Sequence, residues 1–223
     1  GREKASKFLC PKDANRYFLM DSTSMRSAVN ANKGLFVFNR KEFDNGYLGE
    51  AGGYSWMENE LLYRHSNGAD VTGVAVEASV LTPATGATTL GVDGLTPSTT
   101  GIVTKGTVFT IAGVNAVHPQ TKADLGVPMQ FVVTANADSN GSGQATLSIS
   151  PTIYSSASGS LQNVSALPAD EAAITFVGSA STTYTQSLMF HKDAFRVASV
   201  PLVLPVSAEF AEQSTEDGVS VAI

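Results

Sequence analysis

The tightest constraint on this chain is a pair of alternating stretches near its centre, Gly106–Val114 and Met129–Ala135. In the first, Thr107, Phe109 and Ile111 fall on one face at the two-residue spacing of a half-buried strand, and Gly113 is read as its end. In the second, Met129, Phe131, Val133 and Ala135 repeat the pattern, with Gln130 and Thr134 opposite and Val132 breaking the strict alternation. His118, Pro119 and Gly126 between them disfavour a helix, because proline removes a donor and glycine is entropically costly inside an element. The expectation is two strands joined by a structured connection.

Charge separates this region from its surroundings. Residues 71–184 carry two Lys/Arg and six Asp/Glu, whereas residues 1–70 carry ten and nine and residues 185–223 carry two and five. A domain border is the simplest cause. The expected division is a discontinuous domain from residues 1–70 and 185–223, interrupted by an inserted domain at 71–184. Within the insertion, Val74, Val76 and Ala78 alternate, and the run LTPATGATTLGVDGLTPSTTG reads as loop from its Pro, Gly and Thr content. The stretch DSNGSG at 138–143 reads as a hairpin before a strand at Ala145, Leu147 and Ile149. A second loop, Pro151–Asp170, precedes a short strand around Ile174 and Phe176. Short strands separated by turn clusters imply an all-β barrel or sandwich.

The flanks read differently. Asp13–Met20 is expected to start a helix behind Pro11, and Ser24–Asn32 a second, with Ser24 as N-cap, Met25, Ala28 and Val29 at helical spacing and Gly34 as stop. Tyr54–Tyr63 looks extended. Leu188–Phe190 is expected to be extended, His191–Ala198 a short helix, and Val200–Leu204 a strand whose Pro201 favours an edge. The fold class is therefore α+β, with an α/β domain made of both flanks and an inserted β domain. Entry and exit of the insertion must then lie close together.

Three stretches carry a family resemblance: VNANKGLF at 29–36, VNAVHPQTK with the following QFVVTA inside the insertion, and LMFHKDAFRVASVPLVLP at 188–205. Together they resemble the major coat protein of tailed bacteriophages, in the subfamily of the short-tailed Salmonella phage. That resemblance covers Ser22 to Pro205. It implies a Hong Kong 97-type capsid fold interrupted by a telokin-like β-barrel. It further implies a structural protein that assembles with copies of itself, with a scaffolding protein and a portal as partners, in the virion capsid after assembly in the bacterial cytoplasm. The inserted barrel would aid folding and capsid sizing, and one of its loops would contact a neighbouring capsomer. Loops at 91–100 and 154–161 are the candidates, represented by Asp93, Leu95, Tyr154 and Leu161, because long loops are often functional. The chain begins with Gly1 and lacks the family's amino-terminal arm, extended hairpin loop and spine helix, so a fragment is expected.

Chemistry-bearing residues are sparse. His65, His118 and His191 are far apart and none belongs to a closely spaced ligand pair, so no zinc site is expected. His191 and Asp193 would need Ser199 and an oxyanion pocket to form a catalytic site. Cys10 reads as a buried small hydrophobe without a base beside it. Asp138, Asn140 and Ser142 resemble the start of a calcium loop, but Ile149 stands where an acidic ligand is required. The sequons at Asn140 and Asn163 are expected to be unused. No cofactor, metal or enzymatic activity is expected. No apolar run reaches the roughly 18 residues needed to span a bilayer, so no membrane partner is expected. A net charge of −6 without a basic cluster argues against tight binding of nucleic acid. The competing reading is a β-rich decoration or adhesin-like binding module, which an aromatic-lined cleft would favour.

Overall fold

The computed structural model describes residues 1–32, 50–69, 72–196, 213–216 and 219–222. The element order is α1 (Arg2–Lys7), β1 (Arg16–Met20), α2 (Ser22–Asn32), β2 (Glu50–Ala51), β3 (Tyr54–Glu58), β4 (Arg64–Ser66) and β5 (Ala75–Val76). There follow β6 (Ala87–Asp93), β7 (Val108–Val117), β8 (Asp124–Val133), β9 (Ala145–Ile153), β10 (Ile174–Phe176), β11 (Thr183–Thr185) and β12 (Leu188–His191). Last comes the hairpin of β13 (Gln213–Glu216) and β14 (Val219–Ala222). Two 3-10 turns, Ser156–Leu161 and Lys192–Ala194, complete the described elements.

The central strands form a six-stranded sheet in the order β10-β7-β8-β9-β6-β5. It closes on itself: Ala75 bridges Ala173, Val76 N–H donates to the Ala172 carbonyl at 3.0 Å, and Ile174 N–H to the Val74 carbonyl at 2.8 Å. Closure leaves no open edge and gives every strand one inner face. That interior holds Phe109, Phe131, Leu90, Leu147, Ile153 and Val76, all fully buried. Phe109 sits at its middle, with ring centroids 5.7 Å from both Phe131 and Phe176. Every member of this buried cluster lies between Val74 and Phe176, so the barrel's core is built from the insertion alone.

The flanks build a four-stranded sheet in the order β12-β1-β3-β2, with β1 parallel to β3 and antiparallel to β12. The fold is therefore α+β with an inserted β domain. Asp21 takes the N-cap place of α2 rather than Ser24; hydrogen bonds from Ser24 hold its carboxyl below the ordinary 3.8. Arg16 is buried, and among the described residues no carboxylate pairs with it. Its guanidinium donates to the Pro11 carbonyl and, at 2.6 Å, to the Cys10 carbonyl, and it lies 5.3 Å over the Tyr54 ring.

Several local expectations are corrected. Asp13–Met20 is not a helix: Arg16–Met20 is the strand between β12 and β3, and pairing on both sides overrides the proline signal. Gly113 does not end its strand. It lies inside β7 at φ +77 where the register against β8 shifts, so it forms a bulge only glycine accepts easily. The Thr/Gly-rich run read as loop contains β6, whose Leu90 and Val92 enter the core. The helix expected at His191–Ala198 reduces to the turn Lys192–Ala194 after β12, and Cys10 is half-buried rather than buried. Gly34, Ala198 and the strand expected at Val200–Leu204 lie outside the described residues.

Residues 64–185 excised as a separate chain are expected to unfold in one cooperative urea transition. In that chain Phe109→Ala should lower stability by about 3–5 kcal/mol, whereas Leu161→Ser should stay within about 0.5 kcal/mol.

Candidate assembly surface

Entry to and exit from the insertion are paired: β4 and β11 form a two-stranded antiparallel ribbon with Ser66 opposite Thr183 and Arg64 opposite Thr185. Polar groups bind this neck to the barrel. Asn67 Nδ2 donates to the carbonyls of Val177 at 3.0 Å and Ser179 at 3.1 Å, and Thr104 Oγ1 donates to the Ser66 carbonyl at 2.7 Å. Buried His65 shares a hydrogen bond of 3.2 Å with Thr107. Ser179 N–H donates to the Tyr184 hydroxyl oxygen at 2.9 Å, which lowers that phenol's pKa. A Cβ on Gly178 would lie under 3 Å from both Tyr184 and Asn67, so the glycine is required by close packing.

The loop residues singled out from sequence fall at two places. Tyr154 and Leu161 bracket one loop. Tyr154 is half-buried and its N–H donates to Asn163 Oδ1 at 2.8 Å, while Leu161 is 62% exposed. Asn163 Nδ2 donates to the Thr152 carbonyl, so that sequon amide is engaged. Lys122, which sequence reasoning passed over, joins this loop to the β7–β8 turn by donating to the Gln162 carbonyl at 3.1 Å. The same turn is capped by His118, whose Nδ1 accepts from the N–H groups of Gln120 and Thr121. Asp93 and Leu95 lie elsewhere. Leu95 is only 4% exposed and belongs to the barrel core, with its N–H on the Gly143 carbonyl at 3.0 Å.

Asp93 ends β6 in an acidic corner. Carboxylate oxygens of Glu77, Asp93 and Glu171 lie within 4.8 Å of one another, close enough for a cation to bridge, and among the described residues no salt bridge reaches them. Burial, then the charge and hydrogen bond of Glu77 and the charge of Asp170, push the Asp93 carboxyl above its ordinary 3.8. Glu77 moves the other way, below 4.5, chiefly through hydrogen bonds from Ser79.

Other groups behave structurally. His191 Nε2 lies 3.0 Å from Asp13 and 178 residues away in sequence, tying β12 to the first segment; this bond leads the lowering of the Asp13 pKa. His191 Nδ1 accepts from Asp193 N–H at 3.2 Å, so it caps a turn, while Ser199 lies outside the described residues. A polar concavity of about 400 Å³ opens between Ser79 and Val80 on one side and Asp138, Asn140, Gln144 and Thr146 on the other. No aromatic side chain lines this concavity. No helix among the described residues is long and apolar enough to cross a membrane.

The model of the family described as "P22 coat protein - gene protein 5" matches residues 10–223. The chain belongs to the P22 coat protein family. A solved structure titled "CUS-3 coat protein I-domain" is 31% identical to this coat protein, over 53% of this chain and 98% of that one, with a TM-score of 0.31. A comparison with curated proteins returned no match. The P22-family chain is a structural capsid protein of a bacteriophage, and its family assembles from copies of itself into the virion shell.

Because Asp93 has a raised pKa in the folded state, its favourable contribution is complete below pH 3.8 and is lost as pH rises through the folded value. Glu77, with a lowered pKa, contributes above 4.5 and loses that contribution as pH falls through its folded value. Asp93→Asn is therefore expected to raise the thermal midpoint at pH 7 and to flatten the profile above pH 3.8, read by scanning calorimetry at several pH values. Asn67→Ala, which strands two carbonyls, should cost about 1–3 kcal/mol by urea titration.

Proposed function

We propose that this chain acts as the major coat protein of a phage or prophage. In this reading residues 1–70 and 185–223 belong to the shell-forming domain and residues 71–184 to an inserted barrel that aids folding and reaches a neighbouring capsomer. The observation that carries it is the family match, which runs through both flanks and the insertion together. The role is structural, without catalytic turnover, metal or cofactor. Other copies of the chain are its principal partners, with a scaffolding protein and a portal engaged during assembly in the bacterial cytoplasm. The acidic balance of the insertion favours weak contact with packed DNA.

The loop between Tyr154 and Leu161 is the favoured inter-capsomer contact. It holds its backbone by bonds to Asn163 and Lys122 while presenting Leu161 to solvent, and a pre-ordered apolar side chain loses little entropy on docking. Asp93 supports the second candidate loop at its base, and Leu95 anchors that loop inward. Many such contacts, each weak, add up in a symmetric shell.

Negative-stain electron microscopy of the complete reading frame, expressed with its neighbouring phage genes, is expected to show uniform closed shells that an antibody to this chain decorates. Free protein or decorated tails without shells would overturn the coat reading. Leu161→Asp should raise the concentration needed for shell formation by about tenfold or more, the effect of losing one buried leucine per contact.

A further inference from the structure

We infer that the barrel and its neck ribbon turn as one body against the four-stranded sheet, about a pivot at Leu61–Tyr63 and Gln186–Ser187, with Lys7 as a latch. The pivot is where bonding to each body stops. On the sheet side, Asn59 N–H donates to the Met20 carbonyl at 2.9 Å and Glu60 Oε1 accepts from Ser22 N–H at 2.8 Å, so the first strand is held as far as Glu60. On the barrel side, β4 and β11 are paired, and Asn67, Thr104 and His65 bind them to the barrel.

Between these limits the chain crosses twice with little attached. Leu61 is 93% exposed and its N–H returns locally to Asn59 Oδ1, Tyr63 is 67% exposed, and Gln186 and Ser187 are exposed on the returning strand. The two crossings are tied to each other by Gln186 N–H on the Tyr63 carbonyl at 2.9 Å, so they turn together. Rotation there uncovers no core among the described residues, because their buried apolar cluster lies entirely within the barrel. Hydrogen bonds from Ser24 and Ser22 chiefly lower the pKa values of Asp21 and Glu60, and the nearby charge of Arg64 adds a smaller pull on both. That attraction is undirected and survives a change of angle.

The latch reaches from the other body. The start of α1 lies against the sheet: an added Cβ on Gly1 would meet Met189 at 2.9 Å, and one on Gly52 would meet Arg2. From the end of this helix Lys7 donates to the Leu125 carbonyl on β8 at 3.3 Å, while its charge pairs with Glu3 at 3.0 Å. One hydrogen bond of ordinary strength is enough to bias a hinge and too little to lock it. A subunit that assembles with its own copies can thus adapt the barrel's angle without repacking either body.

The test is pulsed electron–electron distance measurement on the complete coat protein kept as unassembled subunits, with Cys10→Ser and labels introduced in pairs. Ser27→Cys with Ser160→Cys spans the pivot; Arg64→Cys with Ser160→Cys joins ribbon to barrel; Gln130→Cys with Ser160→Cys lies within the barrel. The expected result is a broad or two-peaked distribution for the first pair and narrow single peaks for the other two. Lys7→Ala should multiply the ratio of the longer to the shorter population of the first pair by about two- to tenfold, the range one hydrogen bond allows. A first-pair distribution as narrow as the barrel control, with and without Lys7→Ala, would overturn the pivot. A broad ribbon-to-barrel distribution would overturn the single-body movement, and an unchanged first pair in Lys7→Ala would overturn the latch.

Discussion

The six-stranded sheet depends on β5. Two residues, Ala75 and Val76, pair with β6 on one side, while the backbone around them bonds to the segment entering β10 on the other. Without this link, β10 and β6 would present open edges and Phe176 would close only part of the aromatic interior. Backbone bonding and apolar burial meet here, since Val76 is fully buried and both its N–H and its carbonyl are used. Directional bonds select the closed topology, and burial supplies most of the stabilisation.

Closure also accounts for how an insertion of this size is tolerated in another domain. A barrel whose buried cluster lies wholly between Val74 and Phe176 asks its host only for two neighbouring attachment points. The β4–β11 ribbon supplies them. Its polar attachment differs in kind from the barrel's core: Asn67, His65, Thr104 and Tyr184 hold fixed geometry through directional bonds in a place too thin for a core of its own. The acidic corner is a local conflict by comparison, where burial and the neighbouring carboxylates push the Asp93 carboxyl above its ordinary value beside Glu77 and Glu171.

A coat protein needs stable units and surfaces that recognise copies of the same chain. In this P22-family chain the aromatic interior around Phe109 is closed to solvent, and the recognising surface is proposed at Leu161, on a loop whose backbone is held by Asn163 and Lys122.

What the sequence determined by itself was the alternation that becomes β7 and β8, the helix expected at Ser24–Asn32 though not its cap, and the three family stretches. These are local or nearly local patterns: Phe109 and Phe131 face inward because each strand has a period of two. Tertiary structure alone decided the rest. Arg16–Met20 became a strand because β3 and β12 offered partners on both sides, β6 emerged from Thr and Gly because β5 and β9 flank it, and Leu95 turned inward because Gly143 holds its backbone. The acidic corner unites Glu77, Asp93 and Glu171, and the neck unites Asn67 with Val177, across separations that no periodicity records. Pairing partners and convergent charges are properties of the closed barrel, so they became legible only once the chain had folded.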